Sequence, residues 1–119
     1  MGYAYLAAPY TGQEKESYTT CKKVLAEFFA LGVPVFSPIV HCHNVAQDGK
    51  FKGDFDFWAW YNFAMLKASD RMYILQLEGW FDSKGVQAEK AWAEDMGKLV
   101  SYITYKEGQG IRGNLQRDN

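Results

Sequence analysis

A glutamate set inside the apolar arc of a helix is the residue of this chain that most directly invites chemistry. Across Lys84 to Gly97, at about 100° per residue, Val86, Ala88, Trp92, Ala93 and Met96 share one arc, while Gln87, Lys90, Glu94 and Asp95 take the other side. Glu89 falls between the directions of Ala93 and Met96. A carboxylate there is paired, protonated or facing a cavity, because burial without a partner is strongly unfavourable. Its place in the first half of the helix favours the charged form through the positive N-terminal end. The plainer alternative is a boundary glutamate whose head reaches solvent.

Ser83-Lys84-Gly85 opens the same helix. Ser83 is a natural N-cap, and Gly85 leaves backbone N–H groups approachable, which suits a phosphate or another anion; ordinary capping is the alternative. Ala8-Pro9-Tyr10-Thr11-Gly12 also joins a strand to a helix, yet it matches neither a Walker loop nor a dinucleotide fingerprint. His41-Cys42-His43 invites a metal, with Cys21, Asp54 or Asp56 as further ligands. Residues two apart share a metal only on an extended segment, and no second paired motif completes the set. The expectation is no metal and no cofactor, with a loop histidine bonded to backbone or touching a ligand.

These residues need elements to hold them. Tyr3 to Ala7 reads as a strand, Gln13 to Leu31 as a helix with Tyr18, Cys21, Val24, Leu25, Phe28 and Leu31 on one face, and Val33 to Ser37 as a strand ended by Pro38. A long irregular stretch with a turn at Gln47 to Gly53 follows. Asp54 to Ala68 is helical, Arg71 to Leu77 a buried strand, Glu78 to Ser83 a loop, and Lys98 to Thr104 a strand after the Glu89 helix. Alternating strands and helices imply a single-domain, Rossmann-like α/β fold, a parallel sheet flanked by helices over residues 1–105, with 106–119 as a polar C-terminal tail. Ligands bind outside the carboxyl ends of such strands, so the loops after Leu6, Ser37 and Leu77 should share one mouth.

With 119 residues and 48% hydrophobic content, the chain fits one folded domain. A net charge of -1 provides no footprint for a nucleic-acid polymer or an anionic membrane. No stretch approaches the roughly 20 apolar residues of a membrane span. The N-terminus lacks a signal-peptide pattern, and Cys21 and Cys42 suit reduced thiols in a cytoplasm. Aromatics make up 17%, more than one small core hides easily. Phe57, Trp58, Trp60, Tyr61, Phe63, Met65 and Leu66 leave the second long helix apolar nearly all round, so another subunit is expected to cover part of it, with Asn62 turned into a pocket.

Ser83-Lys84-Gly85-Val86-Gln87-Ala88-Glu89, following the Ala68-Ser69-Asp70 helix end and the strand Met72 to Leu77, resembles the nucleoside 2-deoxyribosyltransferase superfamily. The likeness is greatest to the 2'-deoxynucleoside 5'-phosphate N-hydrolases, which carry a Ser-x-Gly-Val-x-x-Glu run. Tyr3 to Pro9 is similar to the family's first strand and loop. Ser37 to His43 is similar to a Ser-Pro-Ile-x-His-x-His stretch of small phage-associated relatives of unassigned function. The resemblance spans Tyr3 to Tyr102, and its Ser-x-Gly-Val-x-x-Glu run is moderately specific.

The resemblance implies a five-stranded parallel sheet, a homodimer or larger homo-oligomer with shared active sites, and Glu89 as nucleophile at C1' of the sugar with Tyr5 as its hydroxyl partner. Ser83 and Gly85 would hold the 5'-phosphate, helped by the loop containing Ala8, Pro9 and Thr11. His41, His43, Trp58 and Trp80 are the further substrate-binding candidates, the tryptophans and Tyr61 as faces for the base. Two departures stand out: Asn62 occupies the place of a family Asp, and Thr11 the place of an Arg found in the phosphate hydrolases. Either Asp56, a histidine or water then protonates the base, or activity is altered or lost. Transferases acting on free nucleosides tend to have Asp where Ser83 stands, which favours a 5'-monophosphate. The expected activity is cleavage or transfer at the N-glycosidic bond of a 2'-deoxynucleotide or deoxynucleoside through a covalent glycosyl-enzyme. The alternatives are a non-catalytic module that sequesters a nucleotide and, last, a metal-dependent hydrolase built on His41 and His43.

Overall fold

The computed structural model describes residues 2–50 and 55–113. In chain order the elements are β1 (Ala4–Ala7), α1 (Glu14–Ala30), β2 (Val35–Phe36), α2 (Pro38–Gly49), α3 (Phe55–Ala68), β3 (Arg71–Leu75), α4 (Lys84–Asp95), β4 (Leu99–Lys106) and β5 (Gly110–Gly113). The sheet runs β2-β1-β3-β4-β5. The first four strands are parallel, with Tyr5 opposite Phe36 and Met72, and Met72 opposite Val100. The α/β, Rossmann-like expectation holds; the difference is β5, which pairs antiparallel with β4 at the edge.

Strand alternation distributes the core between two layers. Ala4, Leu6, Tyr73 and Leu75 face one side and pack with Cys21, Val24 and Phe28 of α1 and Ile39 of α2. Tyr5, Ala7, Met72 and Ile74 face the other and pack with Leu66 of α3 and Val86 and Ala93 of α4. Both faces are covered, so these strands read as continuous apolar runs. Leu31, assigned to the buried face of the first helix, is instead its C-cap and stands exposed beside Gly32, whose φ of 73° ends the helix.

Two expectations are corrected. The stretch after Pro38 is a helix: Ser37 accepts a hydrogen bond from the Val40 amide at 3.1 Å, and Pro38 occupies the first turn, where its missing N–H costs nothing. Lys50 ends it in the left-handed region, φ 58°. The rest of the expected Gln47 to Gly53 turn, and Asp54, fall partly or wholly outside the described residues. Second, 106–113 is not a tail. Ile111 is buried against the α1 side of the sheet, and its amide donates to Glu27 of α1 at 3.0 Å. Among the described residues, no helix is long and apolar enough to cross a membrane.

Candidate functional site

The chain turns from one side of β1 to the other between β2 and β3, so the carboxyl ends of β1 and β3 flank a topological switch point. A cavity of about 490 Å³ opens there, lined from the loops after β1 and β3 and from α2, α3 and α4. Its size suits a ligand of nucleoside or nucleotide dimensions.

Glu89 lines this cavity at 4% exposure. Tyr5, fully buried, projects from β1 to the same side of the sheet and donates its phenol proton to Glu89 Oε2 at 2.6 Å. Burial pushes the carboxyl up to about 7, against hydrogen bonds from Tyr5 and Asn62 that lower it. The same burial and the neighbouring carboxyl push the Tyr5 phenol well above its ordinary value, so it remains a donor. Asn62 lines the cavity as well, and its Oδ1 is buried with no hydrogen-bond partner. A buried acceptor left open toward a cavity is satisfied when a ligand brings a donor.

The loop after β1 is pinned from below. Buried Ser17 donates to the Pro9 carbonyl at 2.6 Å, and Gln13 spans to the Glu78 carbonyl at 2.8 Å, tying the β1 loop to the β3 loop. Ala8, Pro9, Tyr10 and Thr11 thereby form one wall. Helix α2 supplies Pro38, Ile39, Cys42, His43 and Ala46 as a second wall. At the mouth, Ser83 caps α4 by accepting from the Val86 amide at 3.2 Å. Lys84 is the cationic side chain lining the cavity among the described residues, and it is ion-paired with Asp56 at 2.9 Å. Asp82 lines the mouth too. Both members of the Lys84–Asp56 pair are largely solvated, so the pair is weak and can open for a ligand.

Of the expected site residues, Glu89, Tyr5, Asn62, Ala8, Pro9, Thr11, His43, Trp58, Ser83 and Gly85 all come together here. Gly85 has a different reason for being bare. A Cβ there would stand 3.1 Å from the Phe55 ring, so the glycine lets the start of α3 close onto α4. His41 and Trp80 are corrected: neither lines the cavity. Once 38–49 is helical, positions two apart diverge by about 200°, so His43 faces inward while His41 turns to Tyr61, whose phenol lies 2.8 Å from its Nε2. Trp80 lies in a turn after β3 and packs against Tyr102 and Phe81. The same helical geometry separates the candidate histidine ligands, and among the described residues no three His, Cys, Asp or Glu side chains converge to hold a metal. Sequence reasoning missed Tyr10, Ile39, Cys42, Asp82 and Lys84. The Ser37-Pro38 pair was the available signal for the α2 residues, being an N-cap followed by the proline favoured at the first helical position.

A family model described as "Domain of unknown function (DUF1937)" matches residues 2–105. No curated protein matches the chain.

Proposed function

We propose, for a chain that belongs to the DUF1937 family of unknown function, that it cleaves or transfers the N-glycosidic bond of a 2'-deoxynucleotide or deoxynucleoside. The observation that carries this is a single one: a carboxylate buried at 4% on the floor of a 490 Å³ cavity, hydrogen-bonded by a buried tyrosine. The resemblance of the Ser83 to Glu89 run to the nucleoside 2-deoxyribosyltransferase superfamily supports the same assignment. Glu89 attacks C1' through an oxocarbenium-like transition state, and water or a second base resolves the glycosyl-enzyme with retention. Tyr5 and Asn62 aim the carboxylate and hold its charge against desolvation. Trp58 offers an aromatic face to the base. We favour the 5'-monophosphate because the capped start of α4 and Lys84 stand together at the mouth, with Asp56 and Asp82 as the opposing charges. The aromatic face of α3 is assigned to a second copy of the chain, and no cofactor is required.

The test is a panel of deoxynucleosides and their 5'-monophosphates, incubated with the protein with and without an added free base. Base release that disappears in Glu89→Ala is expected, and dependence on the added base separates transferase from hydrolase. Binding of nucleotide without release by the unaltered protein would instead establish the sequestering module, which the unpartnered Asn62 Oδ1 also fits.

A further inference from the structure

Glycosidic cleavage needs a proton for the departing base, and Asn62 beside Glu89 has none to give. Among the other titratable groups lining the cavity, Asp56, Asp82 and Lys84 are exposed, and Asp56 and Lys84 hold each other. Burial pushes the Cys42 thiol up to about 11. Tyr10 and His43 remain, and they are joined: Tyr10 Oη lies 2.6 Å from His43 Nδ1. The imidazole is fixed on its other sides. Its ring stacks on Tyr18 of α1 with centroids 4.2 Å apart, and its Nε2 lies 3.3 Å from the Gln47 amide of α2. Burial first, then Glu14 and Cys42, raise the Tyr10 phenol above its ordinary value. Alone it is a reluctant acid; with the Gln47 amide donating to His43 Nε2, the His43 Nδ1–H is left to donate to the Tyr10 oxygen, which stabilises the phenolate left behind and makes Tyr10 a usable acid.

We propose that Tyr10 hands the proton to the leaving base and that His43 is the positioning partner whose Nδ1–H holds the phenolate that forms, an inference resting on the glycosidic function proposed above. A Glu89 oxygen bonds to C1' as the C1'–N bond breaks, and that bond's electron pair passes to the base. The Tyr10 hydroxyl proton moves to a ring nitrogen of the base, and the phenolate left behind accepts the hydrogen bond from His43 Nδ1–H. The carboxylate ends as a neutral ester, Tyr10 as a phenolate and the base as a neutral molecule, so charge and protons balance; the phenolate takes its proton back from the water or second base that resolves the glycosyl-enzyme. The titratable groups in contact with the imidazole are Tyr10 from the β1 loop and Tyr18 from α1, with Glu14 acting on Tyr10.

The experiment compares two substrates that share a sugar: a purine 2'-deoxynucleoside or its 5'-monophosphate, and the N7-methylated form. The methylated base already carries the positive charge and leaves neutral without a proton. Tyr10→Phe and His43→Gln are expected to lower release from the ordinary purine by about 100-fold more than release from the methylated one, the low end for a general acid. Activity on the methylated substrate also shows that each variant is folded, and Tyr10→Phe keeps the ring that packs beside His43. Equal losses on both substrates, or no loss on either, would overturn the Tyr10–His43 assignment while leaving the glycosidic function standing. No release of either base by the unaltered protein would overturn both.

Discussion

Glu89 stands where two opposing requirements meet. A nucleophile must be ionised, yet the apolar surroundings that exclude water from a glycosyl-enzyme penalise that charge. With the carboxyl near 7 rather than 4.5, the ionised fraction grows through neutrality, and base release should rise with pH across that range. Stability should move the other way. Between 4.5 and about 7 the folded chain keeps a proton that the unfolded chain has lost, so stability falls as pH increases through that interval. The gap between those values corresponds to about 3 kcal/mol. Glu89→Gln removes the ionisable group while keeping its shape, so relative to the unaltered protein it should gain about that much between pH 4 and pH 8. Urea unfolding at the two pH values reads the difference; a gain independent of pH would mean that the carboxyl is not held up by burial. Glu89 was legible because helical periodicity alone places it among apolar neighbours. Its partner Tyr5 was legible only through the resemblance, since pairing across 84 positions leaves no local trace.

At the scale of elements, α2 carries the lesson. Its sequence, Pro38-Ile39-Val40-His41-Cys42-His43, is rich in β-branched and polar residues and shows a weak helical pattern, so punctuation by Pro38 read as an ending. The same proline with Ser37 before it is a beginning. Choosing between them depends on the surface waiting beyond β2, an apolar shelf from α1 and β1 that Ile39 covers with Val40 beside it. The consequence reached the site, because an extended segment would have aimed His41 and His43 differently. Ser37→Ala should cost about 1 kcal/mol through the lost cap, somewhat more because Ser37 is buried. A lowered thermal midpoint accompanied by weaker nucleotide binding would show that α2 forms the wall; a lowered midpoint with unchanged binding would show that it does not.

Across the whole molecule, the layered sheet was legible from alternating patterns, while the mouth followed from the general rule for strand ends and the order of strands. The excess of aromatics also finds its place. Trp60 is 68% exposed on α3, flanked by partly exposed Phe57 and Phe63. The stretch of α3 around Trp60 is therefore apolar and exposed among the described residues, and we assign it to a contact between subunits. Trp60→Glu should convert a dimer or larger assembly to monomer in sedimentation velocity. Monomer in the unaltered protein at tens of micromolar, a range typical of weak association, would reassign that face.

The antiparallel β5 has a meaning that its small size conceals. It lies beyond the 2–105 region shared with the family, at the open side of β4, the longest strand of the sheet. An uncovered strand of that length is a template on which other chains can add, and its rows of unpaired amides and carbonyls would invite fibre-like stacking. The opposite edge needs no such guard, because β2 is only two residues long. Four residues held down by Ile111 and Glu27 thus act as a selvage on the sheet. They keep the long edge of β4 from serving as a template, and a chain trimmed at residue 105 is expected to aggregate in an open-ended way.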